Sequence, residues 1–100
     1  MDVGVVGLGY WGKNIVRNLV NCSDVDKIFV FDKDDEKNRS IKSVFPSVII
    51  KKTFEEILKT DIEAIFIVTP PESHFELGLK VLESGKHLYL EKPFVIFNKR

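Results

Sequence analysis

The stretch Val3-Gly4-Val5-Val6-Gly7-Leu8-Gly9-Tyr10-Trp11-Gly12 constrains the fold of this 100-residue chain more than any other. A short β-branched run leads into glycines spaced G-x-G-x-x-G at 7, 9 and 12. Apolar residues at helical spacing, Trp11, Ile15, Val16, Leu19 and Val20, follow at once. Strand, glycine turn and helix in this order suit a dinucleotide, and each glycine has its own task. Gly7 permits the tight turn off the strand, and Gly9 lets the backbone approach a pyrophosphate with no Cβ in the way. Gly12 lets the helix pack close to the strand. The helix start, residues 7–12 with Leu8, Tyr10 and Trp11 between the glycines, then offers N–H groups and the positive end of its dipole to phosphate. A second apolar run, Ile28-Phe29-Val30-Phe31, ends at Asp32, 25 positions after Gly7. That is near the roughly 20-residue offset at which a carboxylate meets the adenosine ribose. Lys33 is the adjoining cation. Glycine turns followed by a solvated acid also occur without any ligand; the agreement of strand, helix and carboxylate favours the dinucleotide.

The rest of the chain alternates in the same way. The first helix is expected from about Trp11 to Asn21 and the second strand over about 27–32. Asp34-Asp35-Glu36-Lys37 opens a second helix with acids at its favourable end, Ile41, Val44 and Phe45 form its apolar face, and Pro46 ends it. Val48–Ile50 reads as a short third strand. Thr53-Phe54-Glu55-Glu56 is a capping box for a brief third helix buried through Phe54, Ile57 and Leu58. Ala64–Val68 is a fourth strand, stopped by Thr69-Pro70-Pro71. A fourth helix follows over roughly Glu72–Glu83, with Phe75, Gly78, Leu79 and Leu82 on one face and Gly85 as its stop. His87–Glu91 is the fifth strand. Five strands alternating with four helices require parallel crossovers, and continuously apolar strands one, two and four require helices on both faces. The expected architecture is a Rossmann-type doubly wound parallel sheet of order 3-2-1-4-5, with strands three and five at its edges. Its carboxyl rim would gather Gly7, Gly9, Gly12, Asp32, Thr69-Pro70-Pro71 and Glu91-Lys92-Pro93.

Composition excludes several alternatives. Fifteen Lys and Arg balance fifteen Asp and Glu, so no net charge or polybasic block invites nucleic acid or an anionic membrane. The apolar runs are too short to cross a bilayer, and no basic n-region precedes the first strand. Cys22 stands alone, without metal-ligand or CxxC spacing, and reads as a helix-end residue partly tucked into the core. A cytoplasmic chain fits these features.

The opening stretch, Thr69-Pro70-Pro71-Glu72-Ser73-His74 and Gly85-Lys86-His87-Leu88-Tyr89-Leu90-Glu91-Lys92-Pro93 together resemble the glucose–fructose oxidoreductase / inositol dehydrogenase (Gfo/Idh/MocA) family across residues 3–93. Tyr10-Trp11-Gly12 is similar to members that oxidise nucleotide-linked sugars. The resemblance implies a nicotinamide cofactor with its pyrophosphate on Gly7–Gly12 and its ribose at Asp32, where a carboxylate that repels a 2′-phosphate favours NAD over NADP. It implies that Thr69, Pro70, Pro71, His74 and Glu91 border the cofactor, and that Lys92 is catalytic beside the nicotinamide and the reacting carbinol. A lysine there could hydrogen-bond a hydroxyl and stabilise the alkoxide as hydride departs. Taken alone, His74 is a residue type found more often on a helix surface, His87 reads as structural, and Glu91-Lys92 could be a solvated edge pair.

The family continues past E-K-P into a substrate domain, whereas this sequence stops at Arg100. The expectation is therefore a nucleotide-binding domain over 1–93 and an apolar tail over 94–100, from an oxidoreductase acting on a secondary alcohol of a sugar, sugar nucleotide or cyclitol. A stand-alone dinucleotide-binding module without catalysis is the alternative, and continuation of the reading frame separates the two. A homo-oligomer is expected. The tail Phe94-Val95-Ile96-Phe97 should fold back on its own sheet, become disordered, or pair with another copy at the strand-five edge, the last being favoured.

Overall fold

The computed structural model describes residues 1–69, 71–90 and 96–97; the side chains of 71–75 and 96–97 lie outside the description. Ten elements follow in order: β1 (Val3–Val6), α1 (Tyr10–Val20), β2 (Ile28–Phe31), α2 (Asp35–Val44), β3 (Ile49–Ile50), α3 (Phe54–Leu58), β4 (Ala64–Ile67), α4 (Pro71–Glu83), β5 (His87–Leu90) and β6 (Ile96–Phe97). The sheet order is β3-β2-β1-β4-β5-β6. The first five strands are mutually parallel in the expected order 3-2-1-4-5.

Side chains alternate across this sheet into two cores. Val3, Val5, Ile28, Val30 and Ala64 join Val16 of α1 and Ile41 of α2 on one face. Val6, Phe29, Ile65, Ile67, Leu88 and Leu90 join Phe54 and Ile57 of α3 and Val81 of α4 on the other. Each fully buried aliphatic side chain contributes roughly 1.5–3 kcal/mol, and the central strands collect that on both sides. The helix starts follow local chemistry. Asp34 caps α2 by accepting from the Glu36 N–H at 3.0 Å, and Thr53 caps α3 by accepting from the Glu56 N–H at 3.1 Å. Pro71 occupies the first position of α4, where a missing N–H costs nothing, and Gly85 closes that helix at φ +83°.

Several faces differ from the sequence expectation. Val44 is 63% exposed; the buried stripe of α2 runs through Asn38 and Ile41 to Phe45. Leu79 is 45% exposed, and Leu77, Gly78, Val81 and Leu82 face inward instead. On α1, Gly12 and Val16 are the buried residues while Trp11 and Val20 are exposed. Apolar residues on both flanks of each stripe made its centre ambiguous by about one position. Cys22, expected partly in the core, is exposed; it follows the end of α1, where the chain has already left the packed layer.

The edge of β5 also differs. Its outer side is taken by β6 of the same chain, antiparallel, with Leu88 opposite Phe97 and Tyr89 opposite Ile96. Ile96–Phe97 thus takes the fold-back route. An open strand edge needs partners for its N–H and C=O groups, and a segment of the same chain is present at far higher effective concentration than a second copy. Among the described residues no helix is long and apolar enough to cross a membrane.

Candidate cofactor site

Register decides what meets at the carboxyl rim. Val6 lies opposite Phe31 on one side and Ile67 on the other, and Ile67 lies opposite Leu90. Four strands therefore end in one row, and Gly7, Asp32 and Val68-Thr69 leave from the same line. The backbone stitches this rim together: the Gly7 N–H donates to the Phe31 carbonyl at 2.9 Å and the Val68 N–H to the Val6 carbonyl at 2.8 Å.

The three motif glycines are required for different reasons. Gly7 has φ +100°, and a Cβ there would lie 2.6 Å from the Val68 carbonyl oxygen. A Cβ on Gly12 would lie 1.9 Å from the Gly7 carbonyl oxygen, so α1 rests directly on the turn. Gly9 has the ordinary extended values φ −73° and ψ −160°, and among the described residues a Cβ there would meet no atom within 4 Å beyond its chain neighbours. No contact among the described residues demands glycine at position 9, and the turn is left open to the close approach of a ligand.

The helix start suits an anion. The first intrahelical bond of α1 runs from the Lys13 N–H to the Gly9 carbonyl at 2.9 Å, so the N–H groups of Tyr10, Trp11 and Gly12 precede the ladder. Gly9 supplies no side-chain cap and no acid occupies the first turn, unlike α2 and α3. The dipole's positive end is left for phosphate. Leu8 serves differently from its neighbours: its side chain is fully buried and its N–H donates to Asp32 Oδ2 at 2.7 Å. Tyr10 and Trp11 stand exposed beside the turn, their rings edge-to-face with centroids 5.1 Å apart.

Asp32 follows β2 at this rim. Besides the Leu8 bond, its Oδ1 accepts from the Asp34 N–H at 2.8 Å. A carboxylate has about four lone-pair sites, so two remain for ribose hydroxyls. Lys33 beside it is exposed. Thr69 supplies a second polar signal. Its Oγ1 is buried and has no hydrogen-bond partner among the described residues, a condition costing about 1–3 kcal/mol unless a bound group satisfies it. The uncapped helix, the open position at Gly9, the spare capacity of Asp32 and the orphaned Thr69 hydroxyl all fit a phosphorylated, hydroxyl-bearing cofactor. Among the described residues no cluster of three His, Cys, Asp or Glu gathers to hold a metal.

Other expected site residues are located only by element. His74 and Pro71 lie in the first turns of α4, immediately beyond the β4 rim. Pro70, Glu91 and Lys92 lie outside the described residues. His87 starts β5 at the opposite end of the sheet, exposed, its N–H on the Glu63 carbonyl at 3.1 Å. Two residues escaped the sequence reading. Lys86 donates to the carbonyls of Thr60 and Ile62 at 3.0 and 3.1 Å, tying the start of β5 to the segment entering β4. Asn38, 6% exposed, bonds the backbone of Asp32. The signal for Asn38 was its spacing: 38, 41 and 45 form one stripe, so a polar residue there is buried and needs a partner.

Comparison with known proteins agrees with this geometry. Over 97 residues the chain is 30% identical to 1-carboxy-3-chloro-3,4-dihydroxycyclohexa-1,5-diene dehydrogenase of Comamonas testosteroni, covering 96% of the chain and 24% of that protein. Over 101 residues it is 29% identical to UDP-N-acetylglucosamine 3-dehydrogenase of Acidithiobacillus ferrooxidans, covering 96% of the chain and 29% of that protein. The crystal structure of GenD2 from gentamicin A biosynthesis, in complex with NAD, superposes with a TM-score of 0.86 at 26% identity, over 93% of this chain and 27% of that one. The chain thus spans about a quarter of the length of the relatives it matches. Residues 1–98 match the family model GFO_IDH_MocA, and the chain belongs to this oxidoreductase family through its NAD-binding Rossmann fold.

Proposed function

We propose that this chain is the cofactor-binding part of a dehydrogenase that transfers hydride between nicotinamide and a secondary alcohol of a sugar, sugar nucleotide or cyclitol, with NAD preferred over NADP. The observation that carries the cofactor assignment is Gly9, a glycine that packing among the described residues does not require. The substrate class is supported by the relatives, whose names specify an amino-sugar nucleotide and a dihydroxylated six-membered carbocycle.

The bound dinucleotide supplies the hydride acceptor. In this reading the chain's own residues do the rest. The N–H groups at the start of α1 hold the pyrophosphate, and Asp32 accepts from the ribose 2′- and 3′-hydroxyls. Thr69 Oγ1 gains its missing partner from the cofactor. Lys92, two residues beyond β5 in the sequence, would hydrogen-bond the carbinol oxygen and stabilise it as an alkoxide once its proton passes to a base of the substrate domain; the C=O bond then forms as hydride leaves carbon for the nicotinamide. Asp32 repels a 2′-phosphate, and Asp34 and Asp35 oppose the one adjacent cation, Lys33.

Calorimetric titration of the chain tests the cofactor. NAD should bind about tenfold more tightly than NADP, a difference of roughly 1.4 kcal/mol. Equal affinities, or tighter NADP, overturn the preference; no binding of either overturns the assignment. In a chain that carries a complete substrate site, Lys92→Ala should lower kcat strongly with cofactor affinity kept. Near-normal turnover would return Lys92 to a structural role.

A further inference from the structure

Asp32 is gripped at four points, two on its carboxylate and two on its backbone. The carboxylate oxygens take the Leu8 and Asp34 N–H groups. The backbone is held by a single side chain: the Asp32 N–H donates to Asn38 Oδ1 at 2.9 Å, and Asn38 Nδ2 donates to the Asp32 carbonyl at 2.9 Å. This two-bond clasp works in one orientation only, since a flipped amide would set donor against donor and acceptor against acceptor. Asn38 Nδ2 also lies 3.5 Å from Asp35 Oδ1. Asn38 sits on the buried stripe of α2 beside Ile41, where an apolar residue would meet packing needs with no polar group to satisfy. Its amide is therefore explained by what it holds.

We propose that Asn38 is a positioning residue for cofactor recognition. By clasping the Asp32 backbone it aims the Asp32 carboxylate. Through the bond from Asp32 Oδ2 to the Leu8 N–H, it also fixes the glycine turn relative to the ribose site. The adenosine ribose and the pyrophosphate are then read by one braced unit. This inference rests on the dinucleotide reading and deepens it.

The test compares NAD with its analogue lacking the adenosine 2′-hydroxyl, titrated against the parent chain and Asn38→Ala. Removing that hydroxyl should cost the parent about tenfold in affinity, as expected for a hydrogen bond to a carboxylate, and the variant about threefold or less. A general loosening of the fold would weaken both ligands together and leave their ratio unchanged. A ligand-free readout accompanies it: hydrogen exchange at the Leu8 amide should quicken in Asn38→Ala relative to the Val5 amide of the central strand. Asn38→Ser repeats both measurements should the alanine variant not fold. A parent that discriminates, with variants that discriminate equally, overturns the role of Asn38 alone. Unchanged Leu8 exchange overturns the path through the glycine turn. A parent that binds neither ligand overturns the dinucleotide reading itself.

Discussion

Gly9→Ala and Gly12→Ala make the same chemical change three residues apart, and the structure assigns them opposite consequences. At Gly12 the new Cβ would lie 1.9 Å from the Gly7 carbonyl oxygen and 2.9 Å from its carbon. Both partners are backbone, so no rotamer relieves the overlap and α1 must back away. A gap of roughly 1 Å forfeits about a quarter to a half of the dispersion energy between facing side chains. The helix packs through Val16, fully buried, with Ile15 and Leu19 beside it. At roughly 1.5–3 kcal/mol for each fully buried side chain, the movement loses about 2–3 kcal/mol. Replacing a helical glycine by alanine returns about 1 kcal/mol. The net cost is about 1–2 kcal/mol, within the range of overpacked cores. At Gly9 the Cβ meets none of the described residues beyond its chain neighbours, and φ is −73°. The unfolded chain loses entropy in favour of alanine while the N-cap position favours glycine, leaving stability within about 0.5 kcal/mol of the parent. Cofactor affinity should nonetheless fall by about tenfold or more, roughly 1.4 kcal/mol, because the methyl group occupies the approach of the pyrophosphate. Urea unfolding followed by far-UV circular dichroism should lower the midpoint of Gly12→Ala by roughly 1 M and barely move that of Gly9→Ala. Calorimetry then reads NAD binding by Gly9→Ala. A Gly12→Ala chain as stable as the parent refutes the packing argument, and a Gly9→Ala chain with parental affinity refutes the ligand argument.

Lys86→Met removes the ammonium shared by the Thr60 and Ile62 carbonyls while keeping the aliphatic stem, and should destabilise the chain by about 1–3 kcal/mol; an unchanged urea midpoint would count against that tie. Glu55 titrates below its ordinary value, first through its hydrogen bond to its own backbone N–H and then through Lys80 at 3.3 Å. A depressed carboxylate stabilises the fold above its unfolded pKa, and that contribution fades as pH falls through the folded value. In Lys80→Ala a carboxyl NMR titration should find Glu55 moved upward yet still below an ordinary glutamate; no movement refutes the pairing. Removing residues 94–100 strips β6 from β5 and bares the Leu88–Tyr89 backbone. Sedimentation should then show more self-association than the intact chain, whereas equal monomer in both would show that β6 does not protect that edge.

The order of elements and the strand arrangement were legible in the sequence because each rests on a short-range signal. β-branched runs without alternation marked Val3–Val6, Ile28–Phe31 and Ala64–Ile67 as strands covered on both faces. Asp34 and Thr53 announced helix starts, and the glycines announced the turn. Handedness then left one arrangement of the five parallel strands. The place of Asp32 was readable as well, since it has to follow its strand to the same rim as the glycine turn, where its carboxylate accepts from the Leu8 N–H. Tertiary structure decided which flank of each helix faces inward: Val44 and Leu79 went outward because the sheet, and not the helix, chooses the centre of the stripe. It decided the fate of Ile96–Phe97, whose pairing depends on which edge lies within reach. It also decided how the rim is braced. A carboxylate's partners are set by distances between segments far apart in the chain, so the bonds from Leu8 to Asp32 and from Lys86 to Thr60 and Ile62 leave no local pattern. Even the clasp of Asn38 on Asp32, only six residues apart, exists because the end of β2 and the start of α2 are folded against each other at the edge of the core.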